Sequence, residues 1–224
     1  MRTQHDISDY SGRLEKRVKN KERLVFCRVA YEACIPQDFW NVKEKDVALN
    51  KKIFKTVVKQ YVKNLTLSLN KGYGLLITGN NGSGKTMFLS YILKQAILKN
   101  RFVYYTTAPK LENDLKKGWS NSEYAFRLER MMSSDFVAID ELGKEAEEKT
   151  KDNYMTSQAE RFFKQRFDDG FPTLLASNRS LQELFDIYGE SFASIIDGRY
   201  KVVGLASEDF RKQLGIKMNE EMGY

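Results

Sequence analysis

Residues 74–86, with the sequence GLLITGNNGSGKT, constrain this chain more than any other stretch. An apolar run comes before a Gly-x-x-x-x-Gly-Lys-Thr motif, which is the spacing of a phosphate-binding loop between a strand and a helix. Glycines allow backbone conformations that a Cβ forbids, so successive N–H groups can converge on one anion at the positive end of the helix that follows. The motif predicts a nucleotide site formed by Gly79, Asn80, Asn81, Gly82, Ser83, Gly84, Lys85, Thr86 and Met87.

Two side chains of the motif have specific roles in this prediction. Lys85 would reach the β- and γ-phosphates as a point charge, and the Thr86 hydroxyl would ligate Mg²⁺. We therefore expect ATP and Mg²⁺ as the bound groups. Apolar residues at helical spacing follow the motif, as the helix after such a loop requires: Phe88, Ile92, Leu93, Ala96 and Ile97.

Polar residues end two further predicted strands. Asp140 and Glu141 follow the apolar run 135–139, and Asn178 follows the run 173–177. Because ligands of an open parallel sheet lie at the carboxyl ends of its strands, we expect these residues beside the phosphate loop. Asp140 would hold Mg²⁺ directly or through a water, and Glu141 would orient and deprotonate the attacking water. Asn178 would hold that water or the γ-phosphate.

Each of these residue types also has an ordinary explanation. An Asp-Glu pair after a strand suits a helix N-cap or a loop, and an asparagine there suits a turn. Their order behind a phosphate loop favours the functional interpretation. A carboxylate next to a Mg²⁺ ligand suits activation of water, so the pattern favours hydrolysis of ATP over transfer of its phosphoryl group.

Strands alternate with helices along the chain. This order predicts an α/β protein with a parallel five-stranded sheet and helices on both faces. The predicted strands are 75–77, 102–106, 135–141, 173–178 and 200–205. The predicted helices are 10–32, 51–70, the one after the phosphate loop, 108–118, 121–132, 153–168 and two short ones within 181–197.

Composition narrows the functional classes. The chain has no run of about eighteen apolar residues, and its start, MRTQHDISDY, lacks a signal-peptide core. We therefore expect a cytoplasmic protein with no membrane partner. Cys27, Cys34 and His5 are too few for a tetrahedral zinc site, so we expect no structural zinc and assign both thiols a packing role.

The positive charge is concentrated near the N-terminus. Residues 13–28 contain seven Lys or Arg against two Glu, which accounts for +5 of the formal net charge of +7. We divide the chain into a basic helical extension, residues 1–33, and an ATPase domain, residues 34–224. The basic side of the helix is either a solvated face or a docking surface for a partner protein or nucleic-acid phosphate. The sequence alone does not distinguish these alternatives. Its apolar side is predicted to carry Leu14, Val18, Val25 and Val29.

The order of the later segments resembles a family of ATPases that load replicative helicases, the AAA+ proteins of the DnaC/DnaI type. These segments are YTTAPKLENDLKKG, DFVAIDELGKE, RFDDGFPTLLASN and SIIDGRYKVVGLASEDFRK. Transposition helper ATPases of the IstB type share that order. Residues 35–39, IPQDF, are similar to the Ile-Pro-x-x-Phe that those proteins carry before the ATPase core. The resemblance covers residues 34–212.

The resemblance implies a role for each site residue. Lys85 and Thr86 match the Walker A pair, Asp140 and Glu141 match Walker B, and Asn178 matches sensor 1.

Arginines near the end of the chain also match the family. Arg199 matches the arginine finger that reaches a neighbouring subunit's γ-phosphate, which implies self-association. Arg211 matches the late arginine called sensor 2. The physical argument for a finger does not by itself select Arg199, and Arg166 or Arg179 remain alternatives.

The family contacts DNA through the region after the second strand. Here that region suggests Lys110, Lys116 and Lys117 as DNA-binding candidates, with single-stranded DNA as the partner. We assign the aromatic residues nearby to the core: Tyr104, Tyr105 and Trp119.

The function implied by the resemblance is that of an ATPase that assembles on single-stranded DNA and delivers a replicative helicase during DNA replication. The N-terminal extension is short, the cysteines of a zinc module are missing, and too few residues follow Arg199 for a full lid domain. A compact loader, such as a phage or mobile element would encode, fits these departures. The alternatives are an IstB-type transposition helper that binds duplex DNA and a transposase, and a small P-loop kinase acting on a metabolite.

Overall fold

The computed structural model describes residues 19–47, 53–144 and 153–205 of the chain. Within these ranges the strands are β1 (Gly74–Gly79), β2 (Val103–Thr107), β3 (Phe136–Leu142), β4 (Thr173–Ser177) and β5 (Tyr200–Leu205). All neighbouring strands are parallel, and they form one sheet in the order β2-β3-β4-β1-β5. The predicted five-stranded parallel sheet is confirmed.

Helices connect these strands. The described helices are α1 (residues 19–32), α2 (Glu44–Val47), α3 (Lys59–Lys63), α4 (Leu65–Lys71), α5 (Lys85–Leu98), α6 (Ala108–Lys117), α7 (Ser122–Ser133), α8 (Asn153–Asp168) and α9 (Leu181–Arg199). A 3₁₀ turn at Gln37–Phe39 precedes α2, and a π-helical turn at Phe54–Val58 precedes α3.

Two helical stretches are interrupted. The helix predicted over 51–70 divides at Asn64, whose φ of −104° and ψ of 23° lie outside the helical region. Gly189, with φ 82° and ψ −176°, divides α9 into two segments. This second interruption agrees with the two short helices predicted for residues 181–197.

Side chains alternate between the two faces of the sheet, as the pleat of a strand requires. Leu75 and Ile77 pack with α5 and the end of α1 in one apolar cluster. Leu76, between them, packs with residues of α6, α7, α8 and α9 in a second cluster. Both faces of the sheet are therefore covered, and the strand ends are left to form binding surfaces.

The helix α1 does not bury the side that its sequence predicts. Val25 is 58% exposed, whereas Phe26, Ala30 and Ala33 pack against the cluster around α5. The prediction for Val25 is wrong because two overlapping apolar stripes run along this helix, and contact with the domain selects the other one. Residues 10–18 of the predicted helix lie outside the described residues.

The end of α1 is set by Cys34. This residue adopts a left-handed conformation with φ 59°, and its N–H donates to the Tyr31 carbonyl at 2.9 Å. The N–H of Ile35 donates to the Ala30 carbonyl at 3.0 Å, which completes a Schellman-type helix end. Cys34 lies seven residues after Cys27, so a continuous helix would place both on the same face. The helix ends before Cys34, and its side chain is exposed. The predicted packing role of Cys34 is therefore wrong.

Candidate nucleotide-binding site

Three strands end side by side at one edge of the sheet. β4 lies between β1 and β3, so that Leu174 is opposite both Leu75 and Ala138. The phosphate loop follows β1, the acidic pair lies in the last part of β3, and Asn178 follows β4. The structure thus brings the predicted site residues of three separate segments to one edge.

Glycine is required at two positions of the phosphate loop. Gly79 has a φ of 152°, and a Cβ there would lie 2.6 Å from the Leu205 carbonyl oxygen of β5. Gly84 has a φ of 89° and is the N-cap residue of α5. Both conformations favour glycine. They allow the chain to turn from β1 into α5, whose first N–H groups have no intrahelical acceptor and can bind an anion.

The Lys85 side chain folds back along the loop. Its Nζ donates to the carbonyl oxygens of Gly79 at 2.7 Å and Asn80 at 2.8 Å. These carbonyls orient the ammonium but carry no formal charge, so its positive charge adds to the potential of the loop. The geometry suits phosphate binding at this end of α5.

In the described part of the chain, Asp140 accepts hydrogen bonds from three donors. Thr86 Oγ1 donates to Oδ2 at 2.5 Å, and the Tyr105 hydroxyl donates to the same oxygen at 3.0 Å. The main-chain N–H of Glu141 donates to Oδ1 at 2.8 Å. Asp140 is 3% exposed. The structure therefore places the two predicted Mg²⁺ ligands, Thr86 and Asp140, in direct contact.

Tyr105 is a residue of this site that the sequence did not identify. It is buried in β2, as predicted, but its hydroxyl also reaches Asp140. Burial raises the pKa of Tyr105, and the adjacent Asp140 raises it further, so the hydroxyl is a neutral donor at physiological pH. Nothing in the local sequence indicates this contact, because it joins two strands whose pairing the sequence does not specify.

Glu141 departs from the regular geometry of β3. Its φ is 57°, and the register between β3 and β4 shifts between Ile139 and Leu142. Its carboxylate accepts a hydrogen bond from Lys144 Nζ at 3.0 Å, and both side chains are partly exposed. Such strained non-glycine conformations cluster at functional sites. The carboxylate is accessible to water, and Lys144 is a second neighbour that the sequence did not identify.

Asn178 connects the end of β4 to the phosphate loop. Its Nδ2 donates to Asn81 Oδ1 at 2.6 Å. The residue before it, Ser177, donates from its hydroxyl to the Leu142 carbonyl at 2.6 Å and accepts from the Arg179 N–H at 3.0 Å. These bonds fix the turn that carries Asn178, and its amide lies against the phosphate loop.

The predicted finger, Arg199, lies at the opposite edge of the sheet. It comes directly before Tyr200, which pairs with Gly74 at the start of β1, whereas the phosphate loop follows the end of that strand. Its guanidinium stacks on the Phe167 ring at 4.3 Å and donates to the Phe167 carbonyl at 3.0 Å. About five residue steps of 3.3 Å separate the two edges, so Arg199 does not reach the site of its own chain. Arg211 lies outside the described residues.

The two alternative arginines have other surroundings. Arg166 is fully buried and donates to main-chain carbonyls, so it is not available to a neighbouring subunit. Arg179 lies beside Asn178, at the edge of its own phosphate loop, and is 3.4 Å from Glu183. Of these three arginines, Arg199 alone is both placed at the edge away from its own site and partly exposed.

The three DNA-binding candidates all lie on α6. Lys110, Lys116 and Lys117 are exposed. Lys116 pairs with Glu112 at 2.9 Å, and Lys117 Nζ lies 5.1 Å from the centre of the Tyr124 ring.

Trp119 follows α6 and is 83% exposed. Its predicted place in the core is therefore wrong, because it lies in the turn to α7 and not on a strand. Tyr104 and Tyr105 are buried, as predicted.

The donors at the nucleotide edge suit a magnesium ion. A carboxylate and a hydroxyl are hard oxygen ligands, and Mg²⁺ commonly takes few protein ligands and completes its shell with phosphate and water. Within the described ranges no group of three or more His, Cys, Asp and Glu side chains is placed to hold a metal by itself. Among the same residues, no helix is long and apolar enough to cross a membrane.

Solved structures share this fold. The chain matches DnaA of Aquifex aeolicus bound to AMPPCP with a TM-score of 0.62 and 18% identity, covering 84% of this chain and 57% of that one. It spans little more than half of that longer protein. It matches the DnaC helicase loader with a TM-score of 0.63 and 20% identity, covering 76% of this chain and 99% of that one. It matches DnaI with a TM-score of 0.62 and 18% identity, covering 78% and 93%. A search of curated protein sequences found no match.

The strand order, the phosphate loop and these structural matches define a nucleotide-binding P-loop ATPase fold of the AAA+ class. A family model narrows this class. The model of the IstB-like ATP-binding proteins matches residues 44–211, which is most of the chain. The chain belongs to that family.

Proposed function

We propose that this protein hydrolyses ATP in a Mg²⁺-dependent reaction, assembles on single-stranded DNA and delivers a replicative helicase. The observation that carries the ATPase proposal is the contact between Thr86 and Asp140 at 2.5 Å, with Asn178 bonded to the same loop. The loader role is supported by the match to nearly the whole length of DnaC and DnaI structures. We place this activity in the cytoplasm of a bacterial or phage-infected cell.

The residues of the edge divide the work of hydrolysis. Main-chain N–H groups of residues 79–87 and the Lys85 ammonium bind the phosphates. Thr86 and Asp140 would hold Mg²⁺, which when bound would offset negative charge on the phosphates. Glu141 accepts a proton from the attacking water, and Asn178 orients that water or the γ-phosphate.

A neighbouring copy completes the site in this proposal. Arg199 lies at the edge of the sheet away from its own loop, so a second copy stacked on that edge could insert it into the next site. The Phe167 ring and carbonyl fix the guanidinium in advance, which lowers the entropy cost of inserting it. A guanidinium in that place stabilises the charge that develops in phosphoryl transfer.

Single-stranded DNA would bind beside α6. Lys110, Lys116 and Lys117 provide positive charge for the phosphate backbone, and the exposed Trp119 indole provides a surface on which a base can stack.

The family match supports a second function. Because residues 44–211 match the IstB-like model, a transposition helper that binds duplex DNA and a transposase is the competing proposal. Both functions use the same nucleotide site, so they differ in the DNA and the protein that the ATP-bound form selects.

Light scattering after size-exclusion chromatography separates the two functions. The protein is run with a slowly hydrolysed ATP analogue and either a single strand or its duplex, with Lys85→Ala as the matched control. We expect assemblies only with analogue and single strand, and coelution of purified replicative helicase with them. Assembly on duplex alone would favour the transposition helper, and assembly on neither would contradict the loader.

A further inference from the structure

Asp140 Oδ2 accepts hydrogen bonds from two hydroxyls, those of Thr86 and Tyr105, which have different roles in the site. Thr86 Oγ1 is itself a proposed Mg²⁺ ligand, so it serves both the carboxylate and the metal. Tyr105 comes from β2, a strand that carries none of the proposed phosphate or metal ligands. Its hydroxyl acts on the site through its bond to the Asp140 carboxylate.

Two separate hydrogen bonds hold Tyr105 in place. Its main-chain N–H donates to the Ala33 carbonyl at 2.8 Å, where the end of α1 covers this edge strand. Its hydroxyl donates to Asp140 at 3.0 Å. Between these points the ring is buried in the apolar cluster around α5 and is 6% exposed. Packing and the main-chain bond thus fix the position of the ring that carries the hydroxyl.

We propose that Tyr105 is a positioning residue for the magnesium site. Its hydroxyl holds the Asp140 carboxylate in the orientation that meets Thr86, so that the metal finds a preformed pair of ligands. The inference rests on the proposed Mg²⁺-dependent ATPase. Removing a residue that orients a metal ligand typically lowers metal affinity or activity by about 10- to 100-fold. For one neutral donor beside a second donor we expect the lower end of that range.

The variant Tyr105→Phe removes the hydroxyl and keeps the ring. Tyr104→Phe is the matched control, because Tyr104 is the preceding residue of β2, is also buried, and packs in the cluster on the other face of the sheet. Binding of a fluorescent ATP analogue is measured in EDTA and then across a Mg²⁺ titration. We expect Y105F to raise the half-saturating Mg²⁺ concentration about 10-fold, with binding in EDTA changed less than about twofold. Y104F should match the wild type in both measurements.

Three results would overturn this assignment. The first is a Y105F variant with the same half-saturating Mg²⁺ concentration as the wild type. The second is a Y105F variant whose nucleotide affinity falls equally in EDTA and in Mg²⁺. The third is a Y104F variant whose half-saturating Mg²⁺ concentration rises as much as that of Y105F. The second and third results would indicate a general loosening of β2. A wild-type protein that binds no nucleotide would instead contradict the proposed function, so the two failures are distinguishable.

Discussion

Replacing Arg166 with methionine would test how α8 is joined to the sheet. The guanidinium is fully buried, and its N–H groups donate to the Thr173 hydroxyl at 3.1 Å and to four carbonyls at 2.7–3.2 Å. Those carbonyls belong to Met131, Met132, Ser134 and Pro172. They come from the end of α7 and the starts of β3 and β4, so one side chain connects three elements.

The expected loss follows from these bonds. Methionine would leave five acceptors without this donor, at about 1 kcal/mol each, or roughly 5 kcal/mol in total. The variant also avoids the desolvation cost of burying a charged guanidinium. This offsets part of the lost hydrogen-bond energy and leaves a net loss of about 3 kcal/mol in unfolding free energy. For a domain of this size, that lowers Tm by about 10 °C. Arg161→Met, an exposed change of the same kind on the same helix, should be close to neutral.

Chemical denaturation and thermal melts measure both variants. Burial lowers the pKa of Arg166 to about 10, so the group is protonated in folded and unfolded chains near neutral pH. The loss should therefore be the same from about pH 6 to pH 8. Only above pH 10 does the unfolded chain bind more protons than the folded one, so that this group makes stability rise with pH. A loss below about 1 kcal/mol, or one equal to that of R161M, would refute the reasoning.

Three further changes test other parts of the molecule. Arg199→Ala should abolish turnover alone but regain part of it when mixed with Lys85→Ala, because mixed assemblies contain some intact sites; no recovery would argue against action in trans. Trp119→Ala should weaken single-strand binding about 10-fold by fluorescence anisotropy, whereas the equally exposed Phe102→Ala should not; equal losses would discard the stacking role. Gly79→Ala should prevent nucleotide binding by calorimetry, since its Cβ would lie 2.6 Å from the β5 backbone; wild-type binding would show that the loop tolerates the shift.

Local sequence was enough to predict the elements that depend on local chemistry. The strand predicted over 200–205 has these bounds in the structure, and Gly72, with φ 66°, ends α4 one residue after the predicted helix end at residue 70. The phosphate loop is predictable from the sequence because its glycines, Lys85 and Thr86 lie within eight consecutive residues. The edge at which the acidic pair and Asn178 meet followed from the general geometry of parallel sheets.

Features that depend on the order and contacts of the elements were not predictable. Trp119 and Val25 are exposed because of where their elements lie, and their apolar character suggested the opposite. The Tyr105 hydroxyl meets Asp140 only because β2 pairs with β3. Arginine is usually found at the surface, and the carbonyls that accept from Arg166 come together only in the folded chain.

The most direct test of the account compares ATP binding and ATP turnover in the wild type and in Glu141→Gln. Calorimetry with ATP and Mg²⁺ gives the affinity, and release of phosphate gives the rate. We expect the variant to bind ATP within about twofold of the wild type and to lose turnover by about 100-fold or more, because it keeps the ligands and loses the base. Undiminished turnover in the variant, or a wild type that binds no ATP, would contradict a hydrolytic site at this edge of the sheet.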